Sequence, residues 1–364
     1  MMDIPTGLLV ALIGFAGGIG LGLAARIGRF CTLGAIEDAI FSGDLRRMRS
    51  WALAIAVAIA GTWVLDAAGL IRLDQSFYLS GTINLPSLIA GGLMFGIGMA
   101  LVGTCGYGAL ARAGSGDLKS AVIVVVIGIS AYMASGGVTA FARISWLEPM
   151  AVNLPAQQSL PALAESMGGG ALAPFLPAAA VAALLVWCFK DGAFRRAWRL
   201  IAAGASVGMI IVLGWFATGT VGNDPFDQQR LMSFTFVRPL GDTLIYLMTF
   251  TGASINFGIG ATLGVIAGSA AGSLAKREFR WEACDDAREL RRQIFGGFLM
   301  GTGGLLSLGC TVGQGLSAAS ALALSAPIVM ASTFAGAWIG LIYLVEGSFT
   351  DAVRHLFGRF AGHQ

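Results

Sequence analysis

Three cysteines recur at one spacing. Cys31, Cys105 and Cys310 each stand fourteen residues after the first glycine of a Gly-Gly pair, at Gly17-Gly18, Gly91-Gly92 and Gly296-Gly297. The segments read GGIGLGLAARIGRFCTLG, GGLMFGIGMALVGTCGYG and GGFLMGTGGLLSLGCTVGQG. A thiol is a weak S–H donor and a soft ligand, so its chemistry suits sulfur or copper(I) better than hard oxygen. No CxxC or MxxM run accompanies the three, and the two histidines, His355 and His363, lie in the tail. That pattern argues against zinc, haem and copper, and no cofactor is expected. A disulfide between Cys105 and Cys310 is left open by the spacing. Cys188 and Cys284 lie outside the glycine-pair units and read as packing residues.

Each unit is an apolar helix with small residues at three- and four-residue intervals, ending in a Gly-Cys or Phe-Cys break. Small residues let helix backbones approach closely in lipid, where packing drives association. Glycines near the cysteine permit a turn, so the chain can stop inside the membrane and re-enter as a short helix. The amides freed at such a break favour an anion. A fourth, weaker unit at Gly258–Arg280 has no matching cysteine. Four spans separate the Cys105 and Cys310 units, which would make them antiparallel, an inverted pair of the kind transporters use.

The elements that must position these breaks are membrane helices. The chain has 364 residues, 56% hydrophobic and only 12% charged, with mean hydropathy +0.78 and 53 glycines. Soluble domains carry about 25% charge, so a soluble enzyme, a nucleic-acid binder and a disordered chain are excluded. Apolar runs predict nine spans: 6–28, 51–71, 87–104, 121–142, 172–189, 200–219, 243–274, 294–309 and 326–345. The expected fold is an all-α polytopic membrane protein, one domain over 1–364. A first half (about 6–142) and a second (about 172–345) flank an external linker at 143–171, with a cytoplasmic tail at 346–364.

Basic clusters at Arg46–Arg49, Arg112/Lys119, Lys190–Arg199, Lys276–Arg292 and Arg354/Arg359 hold 17 of the 23 Lys and Arg. The opposite connections hold only Arg72, Arg143, Arg230 and Arg238. The positive-inside rule then puts the N-terminus outside and the C-terminus in the cytoplasm. The N-terminal MMDIPTGLLV has an acid and no basic residue, so the first helix is expected to be retained. No Walker-type phosphate loop is present. Lys276–Arg292 reads as a solvated loop or short helix that fixes topology, with a partner-docking site as the alternative. The eight tryptophans and Tyr78, Tyr132 and Tyr246 are expected to anchor the membrane interface.

The motifs GTCGYG at 103–108, GCTVGQG at 309–315, RFC at 29–31 followed by EDAIFSGD, and AKREFRWE at 275–282 resemble the YeeE/YedE family of sulfur-compound transporters. The resemblance spans about residues 10–345. It implies an hourglass-shaped inner-membrane protein with quasi-inverted repeats, thiosulfate uptake, and three cysteines, here Cys31, Cys105 and Cys310, lining a constricted path. The family's second loop commonly reads GCTxGHG, with a histidine where this chain has Gln314, which cannot titrate near neutral pH. No sulfur-carrier domain follows the last span, so a cytosolic acceptor is expected to be a separate protein.

Thiosulfate is a dianion with one soft terminal sulfur, and moving it through lipid requires polar groups in place of water. Break amides, with Thr104, Gly106, Tyr107, Thr311 and Gln314, are the candidate donors. Three thiols in series would bind weakly enough to let the ion leave. Arg29, and less so Arg112, could attract anions at a pore mouth, or simply snorkel to the interface. Glu37 and Asp38 read as ion-pair partners of the Arg46–Arg49 cluster. Two alternatives are a membrane-embedded sulfurtransferase that hands persulfide sulfur to a carrier, and a passive channel or sensor subunit. No general base stands near the cysteines to favour the first.

Overall fold

The computed structural model describes residues 5–154, 156–170, 172–223, 229–283 and 286–347. Cys284, both histidines, Arg354 and Arg359 lie outside these. Almost every described element is helical, and the protein is an all-α polytopic membrane protein. The principal helices are α1 (Thr6–Ile27), α2 (Thr32–Glu37), α3 (Arg46–Ala67), α4 (Leu85–Val102), α5 (Gly106–Gly114) and α6 (Leu118–Gly136). The second half holds α7 (Leu176–Phe189), α8 (Trp198–Phe216), α9 (Val237–Met248), α10 (Phe257–Ala275) and α11 (Ala287–Leu306). It ends with α12, the helical stretch 311–320, and α13 (Ser325–Glu346).

Seven helices among the described residues are long and apolar enough to cross a membrane. Large apolar side chains such as Leu12, Val64, Ile129 and Val186 lie exposed on their outer faces, as a lipid solvent allows. One expected span is corrected. The run 243–274 is two helices, α9 and α10, separated by a short turn at Phe250–Gly252. The Asn256 side chain caps α10 by accepting from the Ile259 amide at 3.0 Å, so a helix starts inside the apolar run.

The glycine pairs turn out to be two-sided packing devices. Adjacent helix positions point about 100° apart, so each glycine of a pair meets a different neighbour. A Cβ at Gly91 would stand 2.7 Å from the Gly303 carbonyl oxygen on α11, and one at Gly92 1.9 Å from Ser332 Oγ on α13. A Cβ at Gly18 would stand 2.4 Å from the Ala261 carbonyl oxygen on α10. Along the α1–α10 crossing, Gly14, Gly18 and Gly22 interleave with Gly260, Gly264 and Gly268. That explains the cysteine-free fourth unit: its glycines serve the close crossing with α1.

The linker at 143–171 is woven into the bundle. β1 (Thr82–Ile83) pairs antiparallel with β2 (Val152–Asn153), and the Leu324 amide donates to the Gln158 carbonyl at 2.9 Å. The charged stretch 276–292 is also tied down among its described residues. Glu282 exchanges backbone bonds with Gly116 and Leu118, Glu278 pairs with Arg26 at 3.3 Å, and Glu289 pairs with Lys119 at 3.3 Å.

Candidate functional site

The three cysteines share one backbone design. In each unit the residue two before the cysteine is left-handed: Arg29 (φ +53°), Gly103 (φ +80°) and Leu308 (φ +59°). The helix ends there, Cys31 and Cys105 take extended conformations, and a new helix starts at the next residue, as one does after Cys310. Cys105 and Cys310 are buried and Cys31 is half-buried; all three, with Cys188, are free thiols. The Gly313 amide donates to Cys310 Sγ at 3.5 Å. At Cys105 the Gly108 amide, also three residues on, approaches the sulfur without making a cap hydrogen bond.

The breaks meet. The Thr32 hydroxyl donates to the Thr311 hydroxyl at 3.1 Å, joining the residues that follow Cys31 and Cys310. Cys105 lies within electrostatic reach of both Cys31 and Cys310, and Thr311 comes within hydrogen-bonding reach of its thiol. Thr104 is buried, and beside Gly106 the space a Cβ would take is open. Tyr107 is buried too, but its hydroxyl donates to the Leu21 carbonyl at 2.5 Å and its ring stacks on Phe236. Gln314 is likewise engaged. Its Nε2 donates to the Ser307 carbonyl at 2.9 Å, and its Oε1 accepts from Ser325 Oγ at 3.2 Å. Both serve first as braces across the breaks. Cys188 lies apart, in a small cluster with Ala52, Leu53 and Phe194.

Charged residues gather around the first break. Arg29 is exposed, and its carbonyl accepts from Arg47 Nη2 at 3.2 Å. Arg47 also pairs with Asp38 at 3.1 Å, as the sequence reading expected of that acid. Arg112 Nη2 donates to the Gly103 carbonyl at 3.0 Å, so it caps the end of α4. At the other end, Arg72 and Arg230 line a cavity of about 530 Å³, and Arg230, Arg238 and Asp242 line a neighbouring one of about 760 Å³. Thr235, Leu308 and Gly309 also line the larger cavity, so it reaches the third break.

The family model described as "Sulphur transport" matches residues 27–339, which include all three breaks. The chain belongs to the sulphur transport family. Its class of activity is therefore sulfur-compound transport and not enzymatic catalysis, and the resemblance of its motifs to YeeE/YedE proteins holds over nearly the whole chain. It is 26% identical over 360 residues to the thiosulfate transporter TsuA of Escherichia coli (strain K12), covering 93% of each chain. It is 25% identical over 360 residues to the thiosulfate transporter TsuA of Spirochaeta thermophila, covering 95% of this chain and 97% of that one.

Within this family member, sequence reasoning missed two pieces of the site. Residues 231–236 cross the interior without regular secondary structure, with Ser233, Phe234 and Phe236 fully buried. Their backbone is satisfied by hydroxyls: Thr218 donates to the Met232 carbonyl at 2.6 Å and Ser317 to the Phe234 carbonyl at 2.7 Å. The alternation of Ser233, Phe234, Thr235 and Phe236 was the available signal. The second piece is Tyr78. It was expected at the interface, but it is fully buried, as is Trp215, with Trp51 nearly so. The connection 73–79 folds inward onto Trp215, which no hydropathy reading of so short a segment could show.

Proposed function

We propose that this protein imports thiosulfate, or a closely related sulfur-containing anion, across the bacterial inner membrane, and that Cys31, Cys105 and Cys310 line its path. The observation that carries the reading is the convergence of three position-matched breaks with a thiol at each. On this reading the ion enters from the large cavity beside Cys310, meets Cys105, and leaves past the half-buried Cys31 near Arg29 and Arg47. A neutral thiol offers a weak donor to a soft sulfur and adds no charge to repel a dianion. The names of the relatives support the substrate.

The units around Cys105 and Cys310 would form an inverted pair at the waist of an hourglass. The distribution of basic residues supports an outside N-terminus and a cytoplasmic C-terminus. The cavity lined by Arg230 and Arg238 then collects anions outside, and Arg29 faces the cytoplasm. The sulfur taken up would pass to a separate cytosolic carrier or enzyme. The test is uptake of labelled thiosulfate into vesicles holding the protein, competed by sulfate. Thiosulfate should accumulate, with sulfate competing weakly because it presents only hard oxygens. Equal competition by sulfate at the same concentration would defeat the soft-sulfur argument.

A further inference from the structure

Beside Cys310, and next to a residue that lines the larger cavity, stands a tyrosine whose hydroxyl closes no well-formed hydrogen bond. Tyr78 is fully buried, edge-on to Trp215 with ring centroids 6.3 Å apart. The Thr235 hydroxyl and the Cys310 thiol are the polar neighbours of its Oη; Thr235 comes within reach of it, but no well-formed hydrogen bond closes. A buried polar atom without a partner is rare in a folded protein and calls for a cause. Gly313 completes the group. A Cβ there would lie 2.5 Å from Thr235 Oγ1 and 3.4 Å from Tyr78 Oη, so only glycine leaves room between them. The same glycine donates its amide to Cys310 Sγ. Thr235 lines the cavity wall, which puts the Tyr78 hydroxyl one residue layer beneath it and beside Cys310.

We propose that Tyr78 and Thr235 form an oxyanion-binding step between the cavity and Cys310, taking the hard oxygens of a sulfur oxyanion while the Cys310 thiol meets its soft sulfur. This rests on the transport reading above. The chemistry fits an ion in transit. Leaving water, a dianion needs donors to its oxygens, and neutral hydroxyls supply them without the tight hold of an arginine clamp. The Tyr78 hydrogen is not committed elsewhere, unlike that of Tyr107, which goes to Leu21. The irregular segment 231–236 holds Thr235 at this point, which gives that buried non-helical backbone a purpose.

The test compares the wild type, Tyr78→Phe, Thr235→Val and Thr235→Ser in vesicles with labelled thiosulfate, at matched protein content, with melting followed in detergent. Tyr78→Phe keeps the ring and removes only the oxygen. It should lower uptake efficiency (maximal rate over KM) about tenfold or more, as loss of a hydrogen bond to a charged group does. Its melting temperature should hold or rise, because an unpaired buried hydroxyl is removed. Thr235→Val should weaken uptake and Thr235→Ser should restore most of it. Wild-type uptake by Tyr78→Phe would overturn this step while leaving the transport reading intact. Lost uptake together with a lowered melting temperature would assign Tyr78 to packing and also overturn it. Failure of the wild type itself to accumulate thiosulfate would defeat the transport reading instead.

Discussion

The first and second breaks reach one backbone shape by different means. At the second, Gly103 takes φ +80°, a conformation glycine adopts at little cost. Arg112 merely covers its carbonyl, and the following thiol of Cys105 is sealed from solvent. At the first, Arg29 is held at φ +53°, where a side chain costs roughly 1–2 kcal/mol. An outside clamp holds it there: Arg47 reaches the Arg29 carbonyl and Asp38, and it packs where a Cβ on Gly34 would collide with its guanidinium. The thiol of Cys31 is left half-open. Strain kept in place by its surroundings often marks a functional segment. The second break is thus intrinsic to its residues, and the first depends on its neighbours.

The largest effect should come from removing the thiols themselves. Cys105→Ala is expected to abolish thiosulfate uptake, and Cys31→Ala and Cys310→Ala to reduce it sharply, with folding retained in each. Cys188→Ala, in its separate cluster, should transport near the wild-type rate. Normal uptake by any two of the three path variants, at matched membrane abundance, would show these thiols to be packing residues.

The next test strikes the clamps. Arg47→Ala removes a partly buried ion pair and a bond to the Arg29 carbonyl, and should destabilise by about 2 kcal/mol. Arg112→Ala should cost under about 1 kcal/mol, since Gly103 needs no outside support. Thermal melting in detergent would rank them, and an equal loss would erase the distinction between the two breaks.

The smallest effects should carry opposite signs. Gly103→Ala places a Cβ in a left-handed conformation and should destabilise by roughly 1 kcal/mol. Arg29→Gly relieves the same strain and should hold or raise the melting temperature by a comparable margin. Parallel losses would mean that the Arg29 side chain contributes more than its backbone strain costs.

Much of the candidate site was legible. Cys31, Cys105 and Cys310 stand out by spacing, and the structure brings together the residues beside them. Arg29 and Thr311 also lie at the breaks, and Asp38 pairs within the basic cluster as expected. Tyr107 and Gln314 were legible only as residues near a cysteine. That their polar atoms brace Leu21, Ser307 and Ser325 depends on where other helices fall. Tyr78 and Thr235 were hidden, because each sits in a short connection whose inward course no local pattern records.

What the sequence by itself determined is local in origin. Hydropathy over about 20 residues marks a span because a bilayer core is about 30 Å thick, and a glycine pair marks a close crossing because only glycine lets backbones touch. The breaks follow from the residues around each cysteine. What only the tertiary structure decided is which break lies beside which. Thr32 meets Thr311 across 279 residues of chain, and the interior segment 231–236 and the Tyr78 hydroxyl reach the third break from separate connections. Those meetings depend on how complete helices stack, since each interface is a sum over many weak contacts and no stretch of sequence contains more than one side of it.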